Sequence, residues 1–317
     1  MPSLLNKLYS SIIDTRNILY NRGIFKTIQT PVTVISIGNI EVGGTGKTPF
    51  TIELARHLKK REYDLAIVTR GYKGSLKGPM LVSREHRCEE VGDEALLMAK
   101  VSGVPVVKSP DRVKGAEFAR DELGVEMIIL DDGFQHRRIY RDLDIVLVSR
   151  DVYTETTLPF GNLREGVSSL DRADFIVATK GSRGYKIKAK FEPTCLVDAR
   201  GDIHDLSMIK GKDVLAFCAI ARPEYFFDAV KGLGAIPETL SFRDHHLYSK
   251  KDLSGIRSMA KDKDYIITTE KDFVRLEGKY VDGTWLSLRV EMKVHGMDKI
   301  IKEVEAIAKT GRISRQG

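Results

Sequence analysis

The chain has 317 residues, of which 42% are hydrophobic and 30% charged, and a formal net charge of +7. This composition is typical of a folded protein with a substantial core and leaves room for two domains. The basic residues are spread along the chain without a dense Lys/Arg block, so the charge favours phosphates or lipid headgroups and argues against a nucleic-acid partner.

Residues 1–30 predict an amphipathic helix. Apolar side chains recur there at helical spacing, with basic ones among and just after them: Leu4, Leu5, Leu8, Tyr9, Ile12, Ile13, Lys7, Arg16, Arg22 and Lys26. No run of about 18 apolar residues and no small-residue cleavage site occurs, so we expect neither a membrane-spanning helix nor an export signal. Such a helix can lie on an anionic leaflet or pack on its own domain, and these residues alone favour the second.

From about residue 30 onward, apolar β-rich runs alternate with segments of helical period. The predicted strands cover residues 32–37, 65–69, 104–107, 127–130, 145–148 and 175–178. A helix predicted over residues 50–60 places Phe50, Leu54 and Leu58 on one stripe. The alternation predicts an α/β fold with a doubly wound, mostly parallel sheet of the P-loop NTPase type.

A second series of elements predicts a smaller α/β domain. Residues 181–212, with a basic patch at Arg183, Lys186, Lys188 and Lys190, are interpreted as a boundary and a hinge. After them we predict strands over 214–220, 265–268 and 285–288, and helices over 225–231, 251–260 and 298–309. The predicted division is a helix over 1–30, a core domain over 31–205 and a smaller domain over 206–317.

Three cysteines, Cys88, Cys195 and Cys218, are scattered along the chain. Their spacing fits neither a metal site nor a disulfide framework, which favours a reducing cytosol.

The segment Gly43-Gly44-Thr45-Gly46-Lys47-Thr48 lies between a predicted strand and a predicted helix. Glycines let consecutive backbone N–H groups turn toward an anion, and the helix N-terminus adds its dipole. We therefore expect ATP phosphates on this loop, with Lys47 on the β/γ-phosphates and the Thr48 hydroxyl on Mg²⁺. The expected nucleotide-binding segment begins at Glu41 and Val42, and Glu41 stands where the G-x-x-x-x-G-K-[ST] pattern has its first glycine.

A second acidic element follows the apolar strand over 127–130, where Asp131 and Asp132 end the run. The carboxyl ends of parallel strands line the ligand crevice of such folds, so one of these acids is expected to hold Mg²⁺.

Several classes of nucleotide protein remain possible from these residues. Val42 replaces the lysine that a partition-type ATPase often carries before its Gly-Gly, and residues 178–181 lack the Asn-Lys-x-Asp of a GTPase. A small-molecule kinase needs neither feature and is favoured. A kinase or ligase for a soluble metabolite, and a nucleotide-switch ATPase that regulates a membrane partner, stay open as alternatives.

Eight motifs in order resemble those of the tetraacyldisaccharide 4'-kinase family. They are the N-terminal segment ending at Tyr20, Ser36-Ile-Gly-Asn-Ile with Gly43–Pro49, Thr69-Arg-Gly-Tyr72, Gly92-Asp93-Glu94, Asp131-Asp132-Gly-Phe-Gln-His136, Leu158-Pro-Phe-Gly-Asn-Leu-Arg-Glu165, Asp244-His245 and Thr269-Glu-Lys-Asp272. The resemblance implies ATP-dependent phosphorylation of the 4'-hydroxyl of a tetraacylated glucosamine disaccharide 1-phosphate in lipid A biosynthesis. It also implies a peripheral enzyme on the cytoplasmic face of the bacterial inner membrane, which we expect to be a monomer.

The family's functional residues carry over to matching positions here. Asp93 resembles the catalytic aspartate and His245 its partner, with His246 expected to be structural. Lys47 and Thr48 match the phosphate and metal positions, and Asp132 and Glu165 match acids near Mg²⁺. Arg164 and His136 match polar residues close to the reacting phosphates. With a lipid substrate, the apolar face of the N-terminal helix becomes an expected membrane contact.

Two departures from the family pattern concern details. Gly166 follows Glu165 where the family usually has proline, and Ala219 and Ala221 stand at two positions where it tends to have glycine.

Overall fold

A computed structural model describes residues 4–179, 184–276 and 281–315, with side chains described as far as residue 310. The helices within these ranges are α1 (Leu4–Asn21), α2 (Lys47–Lys59), α3 (Cys88–Val91), α4 (Asp93–Val101), α5 (Arg112–Leu123), α6 (Pro223–Gly232), α7 (Lys250–Met259), α8 (Glu270–Leu276) and α9 (Met297–Arg315). The strands are β1 (Thr33–Asn39), β2 (Leu65–Thr69), β3 (Met80–Leu81), β4 (Val106–Lys108), β5 (Met127–Asp131), β6 (Leu143–Val148), β7 (Phe175–Ala178), β8 (Ile187–Asp198), β9 (Ile203–His204), β10 (Asp213–Cys218), β11 (Ile236–Ser241), β12 (Tyr265–Thr269) and β13 (Trp285–His295).

The described strands form one sheet in the order β11-β10-β12-β13-β8-β7-β6-β1-β5-β2-β4-β3, with β9 paired to β8. From β8 to β4 on one side, and from β13 to β11 on the other, all neighbours are parallel. The predicted α/β class with a mostly parallel sheet is confirmed.

Helices cover both faces of the sheet, as a doubly wound fold requires. Successive residues of a strand point to opposite faces, so Val34 and Ile35 of β1 belong to different core clusters. The cluster around Ile35 includes buried side chains of α2, α4 and α9, whereas the cluster around Val34 includes those of α5. Burial on both faces explains why these strands are continuous apolar runs.

The two parallel halves are joined by the antiparallel pair β8–β13, whose register runs from Asp198 opposite Leu286 to Lys188 opposite His295. Two of the longer strands were not predicted from the sequence. The outer half of β8 alternates buried and exposed residues and was interpreted as a boundary, and β11 is mostly exposed. The last predicted strand, over 285–288, also extends further than expected. Of the predicted basic patch, Lys188 and Lys190 are exposed on β8, and Arg183 lies outside the described residues.

The predicted division at residue 205 falls between β8 and β13, which pair with each other. Elements from both sides of that point therefore contribute to one sheet, and the division into two domains stays a prediction. No helix in the described part of the chain is both long enough and apolar enough to cross a membrane.

Candidate active site

The phosphate loop connects β1 to α2 at the carboxyl edge of the sheet. Gly46 immediately precedes α2 with a φ of 93°, in the left-handed region that favours glycine. A Cβ on Gly46 would also meet the side chains of Phe191 and Met292 at 2.7 Å, so β8 and β13 pack closely behind the loop. The Asn39 side chain donates to the Thr45 hydroxyl at 3.0 Å, and the Thr179 hydroxyl donates to the Thr45 carbonyl at 2.9 Å. These contacts hold the loop from both sides.

Glu41, at the position of the missing first glycine, supports this loop from inside the protein. Its fully buried carboxylate accepts bonds from the backbone N–H and hydroxyl of Ser149 at 2.6 and 2.7 Å, and from Arg150 at 3.1 Å. The N–H of Val42 donates to the carbonyl of Asn162. The Glu41 side chain is thus committed to the end of β6, and only the main chain of this residue remains for the predicted nucleotide contact.

Lys47, the first residue of α2, lies 3.3 Å from Asp132. Arg164 donates to both oxygens of the same carboxylate at 3.1 Å. Burial raises the pKa of Asp132, but Lys47 and Arg164 outweigh it and lower the pKa to about 2. Asp132 is therefore ionised at neutral pH and lies between two basic side chains that can also bind a phosphate.

Glu165 is buried close to Asp132. Its Oε2 accepts bonds from Asn17 at 3.0 Å and from Arg172 at 2.8 Å, while Oε1 is buried without a hydrogen-bond partner in the described part of the chain. Such an atom calls for a ligand, because burying an unpaired acceptor costs free energy. Thr48 is the second residue of α2 and half-buried.

The side chains of Thr48, Asp132 and Glu165 are chemically suited to Mg²⁺, because this ion prefers oxygen ligands and is held by few protein ligands in phosphoryl-transfer enzymes. The described residues contain no cluster of three or more His, Cys, Asp or Glu side chains that could hold a metal ion by themselves.

A cavity of about 460 Å³ opens beside these residues. Its lining combines polar side chains with the apolar side chains of α1 and two loops: Tyr9, Ile13, Arg16, Val42, Arg70, Asp132, Gln135, His136, Leu158, Arg164 and Glu165. Burial, together with the nearby arginines Arg112, Arg70 and Arg16, lowers the pKa of His136 to about 4 despite an opposing effect of Asp132. His136 is thus neutral in a site that is otherwise rich in positive charge.

Helix α1 forms one wall of this cavity and packs with its polar side inward. Asn6 is its one buried residue and donates to the Thr157 carbonyl. Further along, Tyr9 donates to the Arg164 carbonyl at 3.0 Å and Arg16 to the Gln135 carbonyl at 2.7 Å. Four of the apolar residues predicted to form one face are turned outward, with exposed fractions of 82% for Leu4, 53% for Leu5, 57% for Leu8 and 60% for Ile12, whereas Tyr9 and Ile13 line the cavity.

The predicted pair of Asp93 and His245 is brought together in a second cluster. His245 Nδ1 lies 2.9 Å from Asp93 Oδ2, although the two residues are 152 positions apart. Asp93 begins α4, and its Oδ1 accepts the backbone N–H of Glu94 at 2.9 Å. Gly92 allows this start, because a Cβ there would lie 2.5 Å from the Tyr72 carbonyl.

The neighbouring His246 has a structural position. Its Nε2 lies 3.1 Å from Asp252, whose carboxylate also caps the start of α7 by accepting from the Ser249 N–H. The ring stacks on Phe242 at 4.9 Å between centroids. The structure therefore separates the two adjacent histidines as the sequence analysis expected.

Lys271 and Arg275 on α8 surround Asp93, and sequence reasoning assigned no role to either. Arg275 donates to Asp93 Oδ2 through Nε at 3.0 Å and also through Nη2, while Lys271 Nζ lies 4.0 Å from that oxygen. Burial raises the pKa of Asp93, but His245, Lys271 and Arg275 outweigh it and hold the pKa well below its usual range. The signal that could have found them is two basic residues four apart on a helix that begins within the Thr269–Asp272 motif.

Asp131 at the end of β5 links the two clusters. It is buried and accepts from the hydroxyls of Thr51 and Thr69 at 3.3 and 3.2 Å. Burial, with the negative charges of Glu94 and Asp132, raises the pKa of Asp131, while Lys47 opposes the shift. Asp131 therefore interacts electrostatically both with Glu94, the residue next to Asp93, and with Lys47 of the phosphate loop.

A strand, a glycine-rich loop holding a lysine at a helix N-terminus, and acids at the end of an adjacent parallel strand define a P-loop kinase site. The model of the Tetraacyldisaccharide-1-P 4'-kinase family matches residues 3–308, and the chain belongs to this family. It is 37% identical over 302 residues to the tetraacyldisaccharide 4'-kinase of Aquifex aeolicus, with 90% of this chain and 92% of that protein covered. It is 38% identical over 311 residues to that of Desulfatibacillum aliphaticivorans, with 87% and 83% covered.

A solved structure agrees with these sequence matches. The "apo" form of LpxK from Aquifex aeolicus in complex with ATP superposes with a TM-score of 0.83 at 35% identity, covering 96% of this chain and 97% of that one. The predicted family and P-loop kinase fold are thereby confirmed.

Proposed function

We propose that this kinase transfers the γ-phosphoryl group of ATP to the 4'-hydroxyl of a tetraacyldisaccharide 1-phosphate at a membrane surface. The proposal is supported by the family match over residues 3–308 and by relatives named tetraacyldisaccharide 4'-kinase. The single observation that carries it is the joint presence of a phosphate loop, an Asp93–His245 pair and a helix α1 whose exposed side is apolar.

On the donor side, the backbone of the loop and Lys47 bind the phosphates of ATP. Thr48, Asp132 and Glu165 would hold Mg²⁺ through their oxygens, and the ion would offset the negative charge of the transferring group. Arg164 lies 3.1 Å from Asp132 and can bind a phosphate group of ATP when the nucleotide enters the site.

On the acceptor side, the hydroxyl oxygen attacks the γ-phosphorus, the bond to the ADP oxygen breaks, and the hydroxyl proton passes to the Asp93 carboxylate. The strongly lowered pKa of Asp93 is compatible with this role. In a loose transition state the alcohol proton is lost late, when the oxygen is already strongly acidic, so a weakly basic carboxylate suffices. His245 donates from Nδ1 to Asp93 and thereby orients it.

The apolar face of α1 meets the lipid bilayer. The exposed chains of Leu4, Leu5, Leu8 and Ile12 form an interfacial surface, and the polar face of the same helix lines the cavity. A lipid could therefore keep its acyl chains in the membrane while its sugar enters the site. We place this contact at the cytoplasmic face of the inner membrane.

The test is phosphorylation of tetraacyldisaccharide 1-phosphate by the purified chain with Mg-ATP in lipid vesicles. We expect Lys47→Ala and Asp93→Asn to lower turnover by at least ~100-fold, the scale of general acid–base and electrostatic catalysis. The matched pair His245→Asn and His246→Asn separates the two histidines: only the first loses turnover per folded molecule. Full activity of Asp93→Asn, or equal turnover with a soluble sugar and no vesicles, would contradict the proposal.

A further inference from the structure

The guanidinium of Arg275 is enclosed between two carboxylates and is 1% exposed. On one side Nε and Nη2 donate to Asp93 Oδ2. On the other, Nη1 donates to Asp272 Oδ1 at 2.7 Å and to the Ala219 carbonyl at 3.1 Å. Each of its three nitrogens therefore has an acceptor. This planar fork geometry is specific to arginine, since a lysine offers only a point charge.

Asp272, on the far side of Arg275, is itself fixed. Its Oδ1 accepts from the Tyr248 hydroxyl at 3.0 Å, and its Oδ2 accepts from the Thr269 hydroxyl at 2.7 Å and the Ala219 N–H at 3.1 Å. Both Asp272 and Arg275 lie on α8, so this anchor is built into one helix. Arg275 is thus held in place by Asp272 and can fix the position of the group that it binds on its other side.

That other side is one oxygen of Asp93. Oδ2 takes Arg275 and His245, whereas the hydrogen bond described for Oδ1 comes from the Glu94 backbone. The two oxygens are therefore unequal. The His245 backbone N–H donates to the same Ala219 carbonyl that accepts from Arg275, at 3.2 Å, so the loop that presents the imidazole shares this anchor.

We propose that Arg275 is a positioning residue for phosphoryl transfer: it locks Asp93 Oδ2 and thereby presents Oδ1 to the acceptor hydroxyl. The proposal rests on the proposed role of Asp93 as proton acceptor. Arg275 does not itself touch the acceptor in this arrangement, because Asp93 lies between them. Oδ2 of an ionised Asp93 can only accept a hydrogen bond. His245 therefore donates to it from Nδ1, and the proton of the neutral imidazole stays on that nitrogen.

The charges around the pair set the expected pH behaviour. Asp93 is faced by His245, Lys271 and Arg275, Arg275 is also faced by Asp272 and Tyr248, and Lys271 pairs with Glu94 at 3.1 Å. Removing the Arg275 charge leaves Asp93 buried with weaker compensation, so its pKa rises. The fraction of ionised Asp93 then falls at a higher pH than in the wild type.

The experiment compares Arg275→Met and Arg275→Lys by the pH profile of kcat with vesicle-bound lipid. We expect Arg275→Met to lower kcat about 10- to 100-fold, within the range of one acid–base contribution. The KM for ATP should stay near that of the wild type, and the acid limb of the pH profile should move to higher pH. Arg275→Lys keeps the charge and loses the fork, so its acid limb stays near the wild-type position while kcat still falls.

Arg289→Met is the matched control. Arg289 donates to Glu270 at 2.7 Å, at the first residue of the same helix α8, and Glu270 is its described ion-pair partner. The Arg289→Met variant removes an ion pair of α8 without changing a contact of Asp93. We therefore expect lower thermal stability and an acid limb at the same pH as in the wild type. An equal limb shift in Arg289→Met would assign the effect to the helix and overturn the proposal.

A double-mutant cycle with Asp93→Asn decides whether Arg275 acts through Asp93. If it does, adding Arg275→Met or Arg275→Lys to Asp93→Asn lowers the residual kcat by less than about threefold, because residues that act as a unit are non-additive. A fully multiplicative loss, corrected for the folded fraction, overturns the inference. Where Arg275→Met does not fold, Arg275→Lys completes the cycle, and full activity of Asp93→Asn alone is a failure of the proposed function instead.

Discussion

The two terminal helices of this protein have similar lengths and similar amphipathic patterns, yet they face opposite ways. α9 buries its apolar stripe in the main core, through Met297, Ile300, Ile301, Val304 and Ala308. α1 buries only Asn6 and exposes its apolar stripe. Periodicity therefore specifies a helix with two faces, and the surrounding surface decides which face is inside.

The surface beneath α1 is polar, and that is why the helix is inverted. The segment 157–165 and the turn after β5 offer backbone carbonyls and the Glu165 carboxylate, which match the donors of Asn6, Tyr9, Arg16 and Asn17. α9 packs against β1, and its buried side chains belong to the same apolar core cluster as Ile35 and Ile37 of that strand. The exposed apolar face of α1 is the surface that we propose for the membrane contact.

The largest expected effect concerns the buried helix. Ile300→Ala should lower the free energy of unfolding by about 2–5 kcal/mol, because it opens a cavity in the core. Ile12→Ala, the same change on α1, should alter it by less than about 0.5 kcal/mol. Denaturant unfolding of both variants in the absence of lipid measures the difference, and comparable losses would mean that α1 also packs by its apolar face.

The next effect concerns the exposed face. Leu8→Ser combined with Ile12→Ser should weaken binding to anionic vesicles about 10- to 1,000-fold. Each apolar side chain contributes about 1.5–3 kcal/mol when fully buried, but an interfacial helix buries it only in part, so the two together contribute about 1.5–4 kcal/mol. Vesicle sedimentation measures the affinity. Ile203→Ser is the matched control, because Ile203 is an exposed apolar residue on β9, outside α1. An equal loss in the control would remove α1 as the membrane contact.

A smaller effect tests the hydrogen bonds that hold the polar face of α1 on the protein. Asn17→Ala removes the donor to Glu165 at 3.0 Å and should cost about 1.5–3 kcal/mol locally, the range for a hydrogen bond to a charged group. Hydrogen exchange should become faster in α1 and stay unchanged in α9. Unchanged exchange in α1 would show that this bond does not hold the helix.

The last effect is absent at neutral pH and appears only in acid. The pKa of His136, in the wall of the cavity, is lowered from 6.5 to about 4, first by burial. The unfolded chain therefore binds a proton between these values that the folded chain does not, so stability falls as the pH falls from about 6.5 to about 4. His136→Asn should reduce this slope of the unfolding free energy. A slope identical to that of the wild type would show that His136 is not the group responsible.

Local sequence was sufficient for the buried parallel strands and the phosphate loop, because both depend on short-range rules. It did not predict β11, a parallel strand at the end of the sheet whose residues are mostly exposed. Continuous apolar runs predict buried strands, and glycines before a lysine at a helix start predict an anion site. The strand β8 was missed for the same reason: its alternating, charged outer half has the pattern of an exposed segment, and only pairing with β13 makes it a strand of the central sheet.

By itself, the sequence determined the α/β class, the phosphate-loop residues around Lys47 and, through the family resemblance, the pairing of Asp93 with His245. Tertiary structure alone decided that Glu41 supports the loop from within, that α1 turns its polar face inward, and that Arg275 lies between Asp93 and Asp272. The physical reason is sequence separation. Arg275 is 182 residues from Asp93, and no local pattern encodes a contact whose partner is fixed only when β10, α4 and α8 meet.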